Sequence, residues 1–424
     1  MRLRDLSLVN FRNYVRLALT PGTPITVLRG DNGQGKSNLL EAIYFLATTR
    51  SPRAGSDREL VHWAARRDTI PFARLEARIA RRDFDLHVEV VLRADADGRS
   101  EPVADEATVP EMASVAKQIK VNGLPTRAVD LVGQVNVVLF TPDDVALVAG
   151  APLGRRRYLD ITNSQVSRAY LRALARYRRV VEQRNSLLRQ VRERRQPRDL
   201  LEVWNAELVE HGSLVVASRL RAVGALNERI GPLYRQLGGH QLSLELVYQP
   251  TTHDAGAAPP DAASVAELYR ARLAGLQQRE IEAGVSLVGP HRDDFSFNVD
   301  GVDLHTYGSR GQQRLAVLAL KLAEGEYMRA ETGESPILLL DDVLSELDPT
   351  RRAFVLDRAG QEGQTLITTT DCGDFPPRLM AEATLFDVSA GTVLAPRSAG
   401  TNGGTNGYAD HAEHRLLSRQ RVAE

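Results

Sequence analysis

The alternation of apolar and polar residues predicts strands near the start of the chain. Apolar side chains alternate with polar ones from Leu3 to Val9 and again from Val15 to Leu19, which is typical of a β-hairpin. A short apolar run at Ile25–Leu28 indicates a buried strand, and Leu75–Leu92 alternates like two strands joined by a turn. The N-terminal region is therefore expected to be rich in sheet.

The apolar period becomes that of a helix between Arg155 and about Ala283. Within this stretch, Leu200–Ile230 and Ala266–Glu282 are expected to be helices. An earlier helix carries an apolar stripe that should pack against its neighbours, formed by Leu171, Leu174, Tyr177 and Val181. Strand and helix signals alternate again from Gly284 onward, so a helical segment interrupts an α/β pattern.

Charge changes this picture only locally. The 424 residues include 54 basic and 54 acidic ones, but Arg155–Arg198 holds 14 arginines against three acids. This stretch is either the solvated face of a helix or a nucleic-acid contact, and the sequence leaves both open. If it contacts DNA, the candidate residues are Arg172, Arg176 and Arg179, which lie on one helical stripe.

Two further features concern the cell compartment. No run of about 18 apolar residues is present, so no membrane span and no membrane partner are expected. The single cysteine, Cys372, excludes an internal disulfide and fits a reducing, cytoplasmic location.

A phosphate-binding loop follows the third predicted strand. Residues 30–37 match the pattern G-x-x-x-x-G-K-[ST] and precede a helix expected over Asn38–Ala47. Glycines let backbone N–H groups surround phosphate oxygens, and the helix directs its positive end toward the same anion. Lys36 is expected to bridge the β- and γ-phosphates, and the Ser37 hydroxyl to hold Mg²⁺. The candidate nucleotide-binding residues of the loop are Gly30, Asp31, Asn32, Gly33, Gln34, Gly35, Lys36, Ser37 and Asn38.

Two carboxylates end an apolar strand far along the chain. Residues 336–340 read Pro-Ile-Leu-Leu-Leu and are followed by Asp341 and Asp342. Because ligands bind at the carboxyl ends of parallel strands, these acids should lie beside the phosphate loop. Asp341 is expected to hold Mg²⁺, and Asp342 to orient the attacking water or accept its proton. Asp342 and Lys36 are therefore the candidate catalytic residues.

A second candidate anion site begins at Ser309. Ser309-Arg310-Gly311-Gln312 precedes a helix expected over Leu315–Glu326, and Ser345-Glu346-Leu347-Asp348 follows the paired acids. This order of motifs resembles that of the ABC ATPases, and the roughly 300 residues between Lys36 and Asp341 resemble their SMC branch. Within that branch the chain is similar to the RecF family. The residues that carry this similarity span positions 1 to about 371 and include Asn10–Tyr14, Phe140–Asp144, Arg155–Arg156, Leu159–Asp160, Val288–Asp294 and Ser309–Arg314.

This resemblance implies an α/β fold, namely an SMC/ABC-type P-loop ATPase head with an inserted α-helical lid domain. Residues 1–154 and 284–395 would form the head, 155–283 the Arg-rich lid, and 396–424 a disordered tail. The resemblance also implies a weak DNA-dependent ATPase of recombinational repair and replication that uses ATP and Mg²⁺. Such proteins bind gapped or junction DNA and help load recombinase onto single strands with RecO and RecR partners.

The resemblance further implies a homodimer that forms on ATP. Ser309, Gly311 and Gln312 of one subunit would cap the γ-phosphate held by Lys36 of the other, and Asp348 would lie at the seam. The sequence departs from the general ABC pattern in three places. Asp342 replaces the usual glutamate, Thr370 stands at the switch-histidine position, and Phe140-Thr141-Pro142 contains no Q-loop glutamine. These departures predict slow hydrolysis.

Other readings remain. One is a nucleotide-gated DNA scaffold with negligible hydrolysis. A transporter ATPase subunit is disfavoured because it would place the Ser-Gly-Gln motif about one domain after the phosphate loop. Among single residues, Arg12 could reach a phosphate or lie in solvent, and His291 is expected in a hydrogen-bonded turn rather than at a metal. Trp63 and Trp204 are expected in the core.

Overall fold

The fold is described from a computed structural model over residues 1–22, 24–65, 71–94, 115–239, 241–254, 261–361, 363–373 and 375–394; the predicted tail at 396–424 lies outside these ranges. The strands are β1 (Arg2–Phe11), β2 (Tyr14–Leu19), β3 (Ile25–Arg29), β4 (Phe72–Ala80), β5 (Asp85–Ala94), β6 (Val115–Val121), β7 (Leu124–Pro125), β8 (Val137–Phe140), β9 (Leu244–Gln249), β10 (Asp294–Val299), β11 (Val302–Asp303), β12 (Ile337–Asp341), β13 (Thr365–Thr369), β14 (Thr384–Ser389) and β15 (Thr392–Val393). The helices are α1 (Lys36–Thr48), α2 (Ala128–Leu131), α3 (Ala146–Ala149), α4 (Pro152–Val166), α5 (Arg168–Arg192), α6 (Leu201–Gly238), α7 (Ala262–Ala283), α8 (Leu304–Tyr307), α9 (Arg310–Thr332), α10 (Pro349–Gln361) and α11 (Pro377–Glu382).

An antiparallel sheet with the order β2-β1-β4-β5-β6-β7 forms one layer of the molecule. The predicted hairpin at Leu3–Leu19 is confirmed, since Leu6 pairs with Leu19 and Phe11 with Tyr14. The predicted pair of strands within Leu75–Leu92 is confirmed as β4 and β5. Burial alternates along β4, so one face of this sheet packs inward.

A second sheet, ordered β15-β14-β3-β13-β12-β8, carries the parallel strands. β3, β8, β12, β13 and β14 pair with one another in parallel. All five residues of β12 are buried, because helices cover a parallel sheet on both faces. The carboxyl ends of β3, β12 and β13 therefore open on the same edge, where the predicted site residues lie.

Helix α1 lies in the apolar core between the two large sheets. Its Leu39, Leu40 and Phe45 are fully buried and belong to one cluster with Leu75 of β4 and Leu339 of β12. A helix that is apolar on nearly all sides requires such an enclosed position. This packing fixes the start of α1 against the parallel sheet.

The helices α4 to α7 and α9 form a second part of the core. One continuous cluster joins Leu226 and Ile230 of α6 to Leu318 of α9 and Phe295 of β10. The core therefore runs across the sequence boundaries proposed for the lid, and the division of the chain into domains stays a prediction.

Two details of the helical segment differ from the sequence-based expectation. β9 lies within the segment predicted as helical, and it pairs antiparallel with β10. Helix α6 continues past Ile230 through Pro232 to Gly238. Leu233, Tyr234 and Leu237 are buried in the core, and this packing offsets the backbone hydrogen bond that proline cannot donate.

The two tryptophans occupy different environments. Trp204 is partly buried against Leu208 and Val209. The expected core position of Trp63 was wrong, since 66% of its surface is exposed and its ring stacks on His62 at 5.4 Å. No helix among the described residues is both long and apolar enough to cross a membrane.

Candidate nucleotide-binding site

The phosphate loop connects the end of β3 to the start of α1. Gly33 and Gly35 have φ values of 79° and 117°, a left-handed region that favours glycine. A Cβ at Gly35 would lie 2.5 Å from Asn13 Nδ2, so no larger residue fits there. Gly35 has no side chain that could cap the first turn of α1. The backbone N–H groups of this turn can therefore bind an external anion.

Lys36 lies at the base of this loop and is almost fully buried. Its ammonium donates to the carbonyls of Gly30 at 2.6 Å and Asp31 at 2.9 Å. Burial lowers the pKa of Lys36, while the nearby carboxylates of Asp342, Asp341 and Asp31 act to raise it. A partly desolvated cation amid backbone N–H groups suits a phosphate.

The structure joins the two ends of the chain at this point. Ser37 Oγ donates to Asp341 Oδ1 at 2.7 Å across 304 sequence positions. Asp341 Oδ1 also accepts from Thr368 Oγ1 at 2.8 Å, which fixes the carboxylate on the edge of the sheet. A hydroxyl and a carboxylate are the oxygen ligands that Mg²⁺ prefers, so these two residues fit the ion.

Asp342 adopts an unusual conformation immediately after β12. Its φ is 54°, and its backbone N–H donates to Thr368 Oγ1 at 2.9 Å. Its Oδ1 is buried and has no hydrogen-bond partner among the described residues. Backbone strain and an unpaired buried oxygen are costly, and they concentrate at functional sites.

Two hairpin turns hold the loop in place, and sequence reasoning missed this role. Asn13 Nδ2 donates to the Gln34 carbonyl at 2.9 Å, while the same carbonyl accepts from Gly391 N–H at 3.0 Å. Ala390 N–H donates to Gln34 Oε1 at 2.6 Å. A Cβ at Gly391 would lie 2.3 Å from the Asn13 carbonyl oxygen, so the turns fit tightly.

Arg12 neither reaches the phosphate loop nor lies free in solvent. Its guanidinium donates to both carboxylate oxygens of the buried Glu41, at 2.9 and 2.7 Å. Burial acts to raise the pKa of Glu41, but hydrogen bonds from Arg12 and Ser51 and the charge of Arg53 bring it below its usual value. Arg12 therefore fixes the N-terminal hairpin to α1.

The second predicted anion site is exposed. Ser309 caps α9, since its Oγ accepts from Gln312 N–H at 3.3 Å and Gln312 Oε1 accepts from Ser309 N–H at 2.9 Å. Among the described residues, no hydrogen bond or ion pair joins Ser309, Gly311 or Gln312 to the phosphate loop of the same chain. Asp348, expected at a subunit seam, is exposed and pairs with Arg351 at 3.2 Å.

Three other positions singled out in the sequence are Thr370, Thr141 and His291. Thr370 is exposed directly after β13. The Thr141 backbone N–H donates to Asp144 in a turn that follows β8. His291 lies in a hydrogen-bonded turn, where Tyr177 OH lies 2.6 Å from Nδ1 and the Ser286 carbonyl lies 3.1 Å from Nε2. Burial lowers the pKa of His291 to about 4, so the ring is neutral at pH 7.

The arginines of α5 differ in their surroundings. Arg172 and Arg179 are exposed and make no ion pair within the described ranges. Arg176 is held by Glu207 at 2.9 Å. Arg184 is fully buried against Glu280, so the arginine-rich stretch is only partly a solvated face.

The molecule has the features of an ABC-type ATPase head. These are a phosphate loop, an acidic strand end beside it and a helix that starts with Ser-x-Gly-Gln, all on one α/β scaffold. The model of the RecF/RecN/SMC N terminal domain matches residues 2–376. The curated DNA replication and repair protein RecF of Roseiflexus castenholzii is 45% identical over 400 residues, covering 92% of this chain and 99% of that protein. The chain belongs to the RecF family.

Solved structures agree with this placement. One described as the recombination mediator protein RecF with ATP in the RecFOR pathway is 30% identical, with a TM-score of 0.79 over 94% of this chain and 98% of the other. An SMC head bound to the C-terminal winged-helix domain of ScpA is 16% identical with a TM-score of 0.51, a likeness of fold alone. The predicted fold class, an SMC/ABC-type ATPase head, is confirmed.

Proposed function

We propose that the protein is an ATP-dependent DNA-binding protein of replication and repair that hydrolyses ATP slowly. The observation that carries the nucleotide part is the contact between Ser37 and Asp341. This contact joins the phosphate loop to the acidic strand end across 304 positions and so supports a single site. The curated relatives, described as DNA replication and repair proteins, support the biological context.

In this proposal the residues of the loop bind and orient the triphosphate. Lys36 and the N–H groups of residues 33–38 would contact its phosphates, and Ser37 and Asp341 would hold Mg²⁺. The ion, when bound, neutralises phosphate charge. Asp342 would orient the attacking water and accept its proton. The solved relative with ATP supports the ligand, and the donor set around Asp341 supports the ion.

Hydrolysis is expected to be slow because Asp342 is constrained. Its backbone is fixed to Thr368, and its side chain is one methylene shorter than glutamate. Thr370 offers a hydroxyl where a histidine would offer a titratable ring. Turnover above tens per second, a brisk rate for enzymes in general, would contradict this expectation.

Dimerisation on ATP follows from the incomplete second site. Ser309 and Gly311 are exposed and Gln312 is half-buried at the start of α9, and these residues would cap the γ-phosphate bound to a second copy. We extend the proposal to gapped or junction DNA, to help in loading recombinase, and to RecO- and RecR-like partners in the cytosol. The description of the solved relatives as recombination mediators of the RecFOR pathway supports this extension.

The proposal is tested by ATP titration and analytical ultracentrifugation of the wild type and Lys36→Arg, each with and without ATP and gapped DNA. The wild type should bind ATP and dimerise with it, and the variant should do neither at the same ATP concentration. Equal dimerisation in all conditions would refute nucleotide-gated assembly. Absence of ATP binding by the wild type would refute the nucleotide site itself.

A second candidate function is a nucleotide-gated scaffold that does not hydrolyse ATP. The strained backbone of Asp342 and the burial of its Oδ1 atom favour it. Comparison of the wild type with Asp342→Asn separates the two functions. Hydrolysis that the variant loses while it retains ATP binding supports the ATPase, whereas equal residual turnover in both proteins supports the scaffold.

A further inference from the structure

A groove of about 910 Å³ lies between the ATPase head and the helices α4 and α5. One wall is the segment from Thr49 to Asp57 after α1, with Lys117 of β6 beside it. The other wall comes from Arg156 and Arg157 of α4 and from Arg178 of α5. The nucleotide loop does not line this groove, so it is a separate feature of the molecule.

The charge of the groove is strongly positive. Six cations line it, namely Arg50, Lys117, Arg156, Arg157, Arg178 and Arg219, against the two carboxylates of Asp57 and Asp160. The whole chain is neutral, so this is a local concentration of positive charge. Low-dielectric walls lined by one sign of charge focus the potential toward an oppositely charged ligand.

Both carboxylates are already bound by other groups. Asp57 pairs with Lys117 at 2.9 Å. Asp160 accepts from Arg178 at 2.8 Å and from the buried Arg219 at 2.7 Å. These acids therefore hold Lys117, Arg178 and Arg219 in position, and they do not pair with Arg50, Arg156 or Arg157.

Three guanidinium groups of the groove form no ion pair with any described carboxylate. Arg157 donates to the Ser51 carbonyl at 2.7 Å, and Arg156 to the Asp293 carbonyl at 3.0 Å, so both are oriented by backbone oxygens. Arg50 makes no ion pair within the described part of the chain. Burial is the main cause that lowers the pKa of Arg50. The charges of Arg178 and Arg157 act in the same direction and those of Asp160 and Asp57 act against it, so several cations crowd around Arg50. Such crowding is unfavourable until an anion enters.

We propose that this groove binds the phosphate backbone of nucleic acid through Arg50, Arg156 and Arg157. The inference rests on the proposed DNA-binding function and moves the main contact from the α5 stripe to the groove. Guanidinium groups fixed by backbone carbonyls suit bidentate phosphate contacts without reading bases. Arg178 belongs to α5, which also carries the exposed Arg172 and Arg179 outside the groove.

The test compares two double variants in fluorescence-anisotropy titrations with gapped duplex DNA over a range of salt concentrations. Arg50→Gln with Arg157→Gln removes two groove cations, and Arg172→Gln with Arg179→Gln removes two cations of the stripe. The groove variant should bind about tenfold or more weakly at physiological salt. Its plot of log K against log salt should be shallower by about two, roughly one unit for each lost phosphate contact. The stripe variant should lose less on both measures.

Arg50→Gln alone should fold normally, because the Arg50 side chain makes no hydrogen bond or ion pair with the residues that the structure describes. Phenylglyoxal labelling of the wild type locates the bound DNA independently, because DNA in the groove should slow the modification of Arg50. If the groove variant binds DNA with unchanged affinity, or if Arg50 is not protected in the complex, the proposal that the groove binds DNA is wrong. The proposed DNA-binding function would not be affected by that result. Failure of the wild type to bind DNA would overturn both. A polyglutamate peptide that binds as tightly as DNA and is equally sensitive to Arg50→Gln would overturn the assignment to nucleic acid.

Discussion

Two helix N-termini of this molecule, both predicted to bind phosphate, lie in opposite surroundings. At the start of α1, Lys36 is buried, and no side chain caps the first turn. At the start of α9, Ser309 and Gly311 are exposed, and the first turn is capped by the side chain of Ser309. Contacts within the chain set the geometry of the α1 terminus. The α9 terminus has only its own helix cap.

Under the proposed function, this difference explains why one chain would carry both halves of a nucleotide site without closing it. The phosphate loop is held by the turns at Asn13 and Gly391 and by the Ser37–Asp341 contact, so its geometry does not depend on a partner. The α9 terminus has no such support and no contact to the loop within the described residues. Nucleotide affinity in the monomer should therefore depend on α1, and assembly on α9.

The largest effect is expected at the first residue of α1. Lys36→Met removes the buried cation and should weaken ATP binding by the monomer about 100-fold, since a charge-assisted contact contributes roughly 3 kcal/mol. Isothermal titration with ATP measures this change.

Arg310→Met is the matched control, because Arg310 is the exposed first residue of α9. It should leave the ATP affinity of the monomer within about twofold of the wild type, a shift near 0.4 kcal/mol. Comparable losses in the two variants would show that both termini act in the monomer and would remove the contrast between them.

A smaller effect is expected from the turn that supports the loop. Gly391→Ala places a Cβ 2.3 Å from the Asn13 carbonyl oxygen and must displace the contact with Gln34. ATP affinity should fall by about tenfold, corresponding to about 1.4 kcal/mol. Competition with a fluorescent ATP analogue measures it.

Gly333→Ala separates this steric effect from backbone strain. Gly333 has a φ of 74°, against 73° for Gly391, but no atom lies within 4 Å of its added Cβ. Both variants should lose a similar amount of thermal stability from the left-handed conformation. If Gly333→Ala weakens ATP binding as much as Gly391→Ala, the turn has no specific role at the loop.

Local patterns explain which parts of this site could be predicted from the sequence. Gly33, Gly35 and Lys36 form a contiguous motif, and the apolar run before Asp341 indicates a parallel strand, so their meeting at one sheet edge follows from general topology. The supporting contacts join residues 13, 34 and 391, and no local periodicity records such a meeting. Glu41 carried an unused signal, since it is an acid within an otherwise apolar helix and therefore required a buried partner.

The distance of other contacts explains the wrong expectations. Trp63 was placed in the core because tryptophan is usually buried, but it follows the short pairing between Phe11 and Val61, and 66% of its surface is exposed. β9 was missed because its partner, β10, lies 45 to 55 residues further along the chain. For β9, a tertiary pairing outweighed the local preference.

Ser309→Ala is expected to have the smallest effect on ATP binding. It should also distinguish the two helix termini most clearly. The variant loses the cap of α9, at a cost of about 1 kcal/mol in unfolding free energy, while the ATP affinity of the monomer should not change. ATP-dependent dimerisation, measured by sedimentation, should be lost. Ser167→Ala is the matched control, because Ser167 caps α5 in the same manner, accepting from Tyr170 N–H at 3.2 Å. It should cost similar stability and leave dimerisation intact, so a dimer that survives Ser309→Ala or fails equally in Ser167→Ala would show that the exposed terminus is only a helix cap.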